Sequence, residues 1–254
     1  MNELEKSRPL PTSARISLGQ TGPSIPTREQ LRFQLDHALA RDAVHAQLDI
    51  PMILRGIEER GLENIGLQSA VESTGRDRRA YLRRPDLGRR LHHDSAQTLL
   101  HHASTHAQPP DILLILADGL SALAVERHAL PLLDALLPLL APEQTIGPIC
   151  IVSQGRVAIG DEIAHLLGAK LVVLLIGERP GLSSPDSLGA YLTWNPRPGR
   201  TDAERNCISN IRAEGLSYTE AAARIVFYLH EARRMETSGV ALKDPASIRI
   251  TGGR

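Results

Sequence analysis

The chain has 254 residues, with 29 Lys plus Arg against 29 Asp plus Glu. That length allows a sizeable core in one or two domains, and the balanced charge gives no general attraction to nucleic acid or to an anionic membrane. Two cysteines make no disulfide framework, and no apolar run reaches the roughly eighteen residues that a membrane span needs.

Residues 1–26 are rich in Ser, Pro and Gly and read as an irregular N-terminal arm. The arm has no apolar signal core, so a cytoplasmic location is expected. Thr27 and Gln30 have the spacing of a capping box. A helix over 28–47 follows, with Leu31, Leu35, Ala38, Leu39 and Ala43 along one stripe. A second helix over 51–60 ends at Gly61, as helices often do at glycine. Residues 75–93 hold seven arginines around Tyr81 and Pro85. Without a net basic field, they read as a solvated or subunit-facing surface rather than a nucleic-acid patch. A helix over 93–107 is stopped by Pro109-Pro110. His102 and His106 lie one helical turn apart, the spacing of a metal-ligand pair. They have no matching Cys, Asp or Glu constellation, so His92, His93, His101, His102 and His106 read as solvent-facing and no metal is expected.

From residue 112 the pattern changes. Apolar runs at 112–116, 149–152 and 170–176 read as buried strands, alternating with helices at 122–140 and 160–167. Strands separated by helices of this size indicate βαβ units and a parallel sheet. Residues 191–194 add a short strand and 219–235 a covering helix. The expected fold is α/β: a helical region over 27–108, then a Rossmann-like doubly wound parallel sheet over 109–254.

In such sheets ligands sit beyond the carboxyl ends of the strands. Asp118-Gly119 and Ser121 follow the first strand and read equally as a turn with a helix cap or as a ligand loop. Gly155 and Gly160 follow the second, at a spacing that fits neither a Walker loop nor a dinucleotide fingerprint. Glu178 and Arg179 follow the third and open the stretch 177–211, which holds four prolines, four glycines, Cys207 and the only tryptophan. An irregular stretch this long is uncommon unless functional. Cys207 has no histidine near it in sequence, so it reads as ligand packing rather than a nucleophile. Asp161, His165 and Gly168 are one residue too widely spaced for the motif by which base-off cobalamin proteins supply a lower ligand.

Seven blocks in order resemble the small (light) subunit of ethanolamine ammonia-lyase: RISLGQTGPSIPT (15–27), DHALARDAV (36–44), YLRRPDLGRRL (81–91), ADGLSA (117–122), QGRVAIGDEI (154–163), GERPGLSSPDSLGAYLTW (177–194) and RNCISNIR (205–212). That family's enzyme uses adenosylcobalamin to convert ethanolamine to acetaldehyde and ammonia by a radical route. The resemblance implies a hetero-oligomer in which a large (β/α)8 subunit holds the catalytic residues. This chain would then cover the base-on cobalamin without being catalytic, with cofactor contacts at Val157, Glu178 and Cys207. Some members carry an amino-terminal extension that directs them into a bacterial microcompartment; here fourteen residues precede the first block. The competing reading is a stand-alone nucleotide-binding α/β enzyme using Asp118, Gly155 and Glu178. It requires a complete catalytic constellation within this chain.

Overall fold

The computed structural model describes residues 24–75, 77–106 and 108–242. Most of the expected arm and the last twelve residues therefore lie outside the described part. Two helices, α1 (Thr27–His45) and α2 (Ile50–Glu58), precede strand β1 (Asn64–Gln68). The short α3 (Arg78–Arg83) and α4 (His93–Thr105) follow. Then come β2 (Ile112–Ala117), α5 (Ala122–Leu136), β3 (Ile149–Ser153), α6 (Ile159–Leu166) and β4 (Leu171–Gly177). Strands β5 (Leu188–Trp194) and β6 (Asn206–Ile211) and helix α7 (Tyr218–Met235) complete the set. No helix among the described residues is long and apolar enough to cross a membrane.

All six strands form one sheet in the order β1-β3-β2-β4-β5-β6. The first four are mutually parallel, and β5 and β6 run antiparallel to their neighbours. The sheet is therefore mixed, which corrects the expected all-parallel one. The cause is connection length. Residues 178–187 between β4 and β5 and 195–205 between β5 and β6 are too short for the dozen or more residues of a parallel crossover. The region expected to be helical also supplies an edge strand, β1, whose Ile65 pairs with Cys150 and Leu67 with Val152.

Strands β2 and β4 are buried along their whole length, as a sheet covered on both faces demands. Alternate residues divide between two cores. Ile112, Leu114 and Leu116 pack with α2, α5 and α7 on one face, through Ile53, Ile57, Leu132 and Ile225 among others. Leu113, Ile115 and Ala117 pack with Leu99 of α4 and Ile159 and Ile163 of α6 on the other. The chain leaves β2 toward the first face and β3 toward the second, so their two loops diverge at the carboxyl edge.

Helix α1 departs from its sequence reading twice. Its N-cap is Pro26, with no side-chain cap, and the Pro26 carbonyl accepts from the Glu29 and Gln30 amides instead. Its apolar stripe is also left exposed by the described residues. Leu31, Leu35 and Leu39 are 60%, 59% and 49% exposed, and Ala43 is the helix's buried residue. Amphipathic spacing reports that a stripe needs a partner, not which molecule provides it.

The carboxyl ends of β2 and β4 touch backbone to backbone. The Leu120 amide donates to the Gly177 carbonyl at 2.9 Å. A Cβ on Gly177 would run into the Ser121 and Asp118 carbonyl oxygens, and Gly119 holds φ at +54° against the Gly177 carbonyl. Because the obstructing atoms are backbone, Gly177→Ala should lower stability by about 1–3 kcal/mol or more. Thermal unfolding of the variant beside the parent chain measures it.

Candidate functional site

The loop after β2 is fixed by a residue from the arginine-rich segment. Arg78 is buried, and its Nη1 donates to Asp118 Oδ2 at 2.9 Å. Its Nη2 reaches the Gly119 carbonyl at 2.8 Å and its Nε the Val44 carbonyl at 2.9 Å. The other Asp118 oxygen accepts from the Gly155 amide at 3.2 Å. Burial pushes the Asp118 carboxyl up to about 6, and Arg78 and the surrounding amides restrain the rise. It is thus ionised and paired at neutral pH. Asp118 is the anchor that binds the loops of β2 and β3 together, a structural role beyond the turn and helix cap of its sequence reading.

Tyr81, fully buried, donates to the Gly155 carbonyl at 2.8 Å. Its ring lies between two guanidinium groups, with Arg78 at 4.5 Å and Arg156 at 4.3 Å from the centroid. Gly88 closes over the same ring, where a Cβ would meet Tyr81 and Arg156 carbons at 2.9 Å. So the arginine-rich segment is no purely solvated face. Arg79, Arg83, Arg84, Arg89 and Arg90 are exposed, whereas Arg78 and Tyr81 hold the strand ends.

Above this floor lie two open clefts that meet at Arg156 and Val157. One, of about 400 Å³, is lined by Leu120, Ile176, Glu178, Arg179 and Tyr191. The other, of about 420 Å³, is lined by Pro85, Arg89, Arg200, Asp202 and Arg205. Arg156 Nε is buried without a hydrogen-bond partner. The second cleft is braced underneath by a buried pair, Arg205 with Asp161. Burial raises the Asp161 carboxyl, opposed by its bonds to Arg205 and Thr193.

Val157 is thus half-buried between the clefts, and Glu178 is half-buried at the end of β4. Glu178 Oε2 accepts from the Ser187 hydroxyl and from the Asn210 amide at 3.2 Å, while Oε1 lies against Gly189. Cys207 lies on β6, exposed, directly across from Tyr191 on β5. Its sulfur contacts the Ser209 hydroxyl at 3.3 Å and the Tyr191 hydroxyl. Burial, then Cys207 and Glu178, push the Tyr191 phenol up, so it stays protonated. Tyr191 lies across from Cys207 and lines the same cleft as Glu178, and the sequence reading missed it. Its only trace there was membership of a short strand. The Cys207 sulfur meets a hydroxyl rather than a base, the neighbour that an activated nucleophile needs.

The segment 178–187 that carries Glu178 is pinned from behind. Ser121 Oγ donates to the Pro185 carbonyl at 2.8 Å. Asp186 pairs with Arg127 at 2.9 Å and with the buried His128 at 3.3 Å, and His128 meets the Tyr218 hydroxyl at 2.8 Å. Burial would raise the Asp186 carboxyl, but Arg127 and His128 hold it below its usual range. The long stretch 177–211 is thus two pinned loops and two strands, not one irregular insertion.

Residues 2–243 match the family model described as ethanolamine ammonia-lyase light chain (EutC). The chain belongs to this family. The "Ethanolamine ammonia-lyase small subunit" of Pseudomonas fluorescens (strain Pf0-1) is 56% identical over 238 residues, covering 93% of this chain and 85% of the relative. The protein of the same name from Pseudomonas aeruginosa (strain LESB58) is 54% identical over 243 residues, covering 95% and 88%. That from Azotobacter vinelandii is 54% identical over 238 residues, covering 93% and 87%. In this member of the light-chain family, Val157, Glu178, Tyr191 and Cys207 lie above strand ends that the Arg78–Asp118 pair holds together.

Removing one member of that pair leaves the other charge buried. Arg78→Met should cost about 3–5 kcal/mol, whereas Arg78→Met with Asp118→Asn should recover most of it. Chemical denaturation of the single and double variants checks both figures.

Proposed function

We infer that this chain is the small subunit of an adenosylcobalamin-dependent ethanolamine ammonia-lyase, covering the base-on cobalamin against a large catalytic subunit. The activity, conversion of ethanolamine to acetaldehyde and ammonia, is carried by one observation: membership of the light-chain family over nearly the whole chain. The partner follows from the same membership and is supported by α1, whose Leu31, Leu35 and Leu39 are left exposed by the described residues.

The cofactor's place is argued from the site's own chemistry. A corrin is a broad, largely apolar plate rimmed with amides. Two open clefts that join across Val157 offer a broad shallow seat rather than a narrow socket. The seat lies over the carboxyl ends of a Rossmann-like set of parallel strands, where such sheets bind ligands. Arg156 Nε, buried with no acceptor among the described residues, suits a carbonyl oxygen on the rim. The Glu178 carboxylate, held by Ser187 and Asn210 at the cleft wall, suits an amide N–H or a ribose hydroxyl. Val157 packs on the plate, and Cys207 gives a polarizable contact beside Tyr191. When bound, adenosylcobalamin supplies the radical through homolysis of its cobalt–carbon bond. The residues named here bind, orient and exclude water.

Reconstitution tests the reading. Acetaldehyde production from ethanolamine should require this chain, the large subunit and adenosylcobalamin together. Glu178→Ala should raise the adenosylcobalamin concentration for half-maximal activity by about tenfold, the cost of a charged hydrogen bond. Cys207→Ser should change it far less, and Leu35→Glu should weaken subunit association instead. If no complex forms with a competent large subunit, the subunit reading fails. If the complex forms but Glu178→Ala and Val157→Glu leave cofactor affinity unchanged, the assigned face is wrong.

A further inference from the structure

At the amino ends of the parallel strands lies a cavity of about 470 Å³, bordered by Glu63, His102, His106, Pro110, Pro148 and His165. Glu63 precedes β1, Pro110 precedes β2 and Pro148 precedes β3, so this is the edge opposite Val157 and Glu178. On its wall, Glu63, His102 and His106 each present one ligand atom, and these atoms all lie within 4.8 Å of one another. His102 Nδ1 is 3.7 Å from Glu63 Oε1. The sequence reading found the histidine pair but no carboxylate to complete it. Folding brings one from the start of β1.

We propose that Glu63, His102 and His106 form a binding site for a borderline divalent transition-metal ion of the Zn2+ class, with its remaining coordination position open to the cavity. Three protein ligands and one open position are a common zinc arrangement, and two imidazoles with one carboxylate suit such an ion better than Mg2+ or Ca2+.

The tautomer of His106 is the strongest support. Its Nδ1 lies 2.8 Å from the His102 carbonyl oxygen, which can only accept. The proton therefore sits on Nδ1, and Nε2 carries a lone pair. Orientation of a ligating imidazole by a backbone carbonyl on its other nitrogen is the usual outer support of metal-bound histidine. The two rings stack at 3.8 Å, His102 in the last turn of α4 and His106 at its C-cap. Ligand atoms around a tetrahedral Zn2+ are about 3.4 Å apart. Imidazole lone pairs lie in the ring plane, so closing on one ion takes a turn of the His106 ring out of the stack and a rotation of Glu63, both exposed.

The test uses the full-length chain, stripped with chelator and then titrated with Zn2+ by calorimetry and with Co2+ by visible absorption. A single ion per chain, the intense visible bands of tetrahedral Co2+ and a raised melting temperature with Zn2+ are expected. His106→Ala and Glu63→Gln should each weaken Zn2+ binding at least tenfold. Both side chains are exposed, so these variants should fold, and an unchanged metal-free melting temperature confirms it. Absence of stoichiometric binding overturns the proposal. So does binding that neither substitution weakens, since the ion would then be held by other histidines.

Discussion

A guanidinium and a carboxylate with almost no water around them, Arg78 and Asp118, tie the N-terminal half of the chain to the sheet. Desolvating two charges is expensive, and their attraction offsets that cost only with good geometry and further hydrogen bonds. Both conditions are met. Arg78 spends its remaining donors on the Val44 and Gly119 carbonyls, and Asp118 takes the Gly155 amide. One pair thereby fixes the end of α1, the loop after β2 and the loop after β3 in a single frame. Tyr81 stacks between Arg78 and Arg156, so the position of Arg156 in the clefts follows from the same frame.

The face above that frame is rigid below and open above. Its floor is backbone in contact with backbone at Gly119 and Gly177. Its wall is pinned through Asp186 and His128. The clefts bring together Val157, the Glu178 carboxylate and the Arg156 guanidinium, an apolar surface with charged groups of both signs at its edge.

Much of this was legible in sequence, and the rest was hidden for identifiable reasons. β2, β3 and β4 announce themselves because strands buried on both faces must be continuously apolar. Edge strands carry no such constraint. β1 reads Asn-Ile-Gly-Leu-Gln, and β6 alternates buried Asn206 and Ile208 with exposed Cys207 and Ser209, so both resemble loop. The loops bearing Val157 and Glu178 were found because strand ends are where sheets bind. Tyr191 was not, because a half-buried tyrosine on a strand looks like core until its neighbours are known. The seven arginines of 75–93 look alike in sequence. Only the fold distinguishes Arg78, whose partner Asp118 lies 40 residues on. Glu63 joins His102 for the same non-local reason.

Helix α1 has Ala43 as its buried residue, and its C-terminal end is held through the Val44 carbonyl. A helix that buries so little opens at a lower free energy than the central strands. Its amides should exchange with solvent far faster than those of β2 and β4, and slow down once its leucines are covered. The helix is therefore a built-in reporter of assembly: the protection of its backbone counts the fraction of chains in complex, while the protection of the central strands reads only whether the domain is folded.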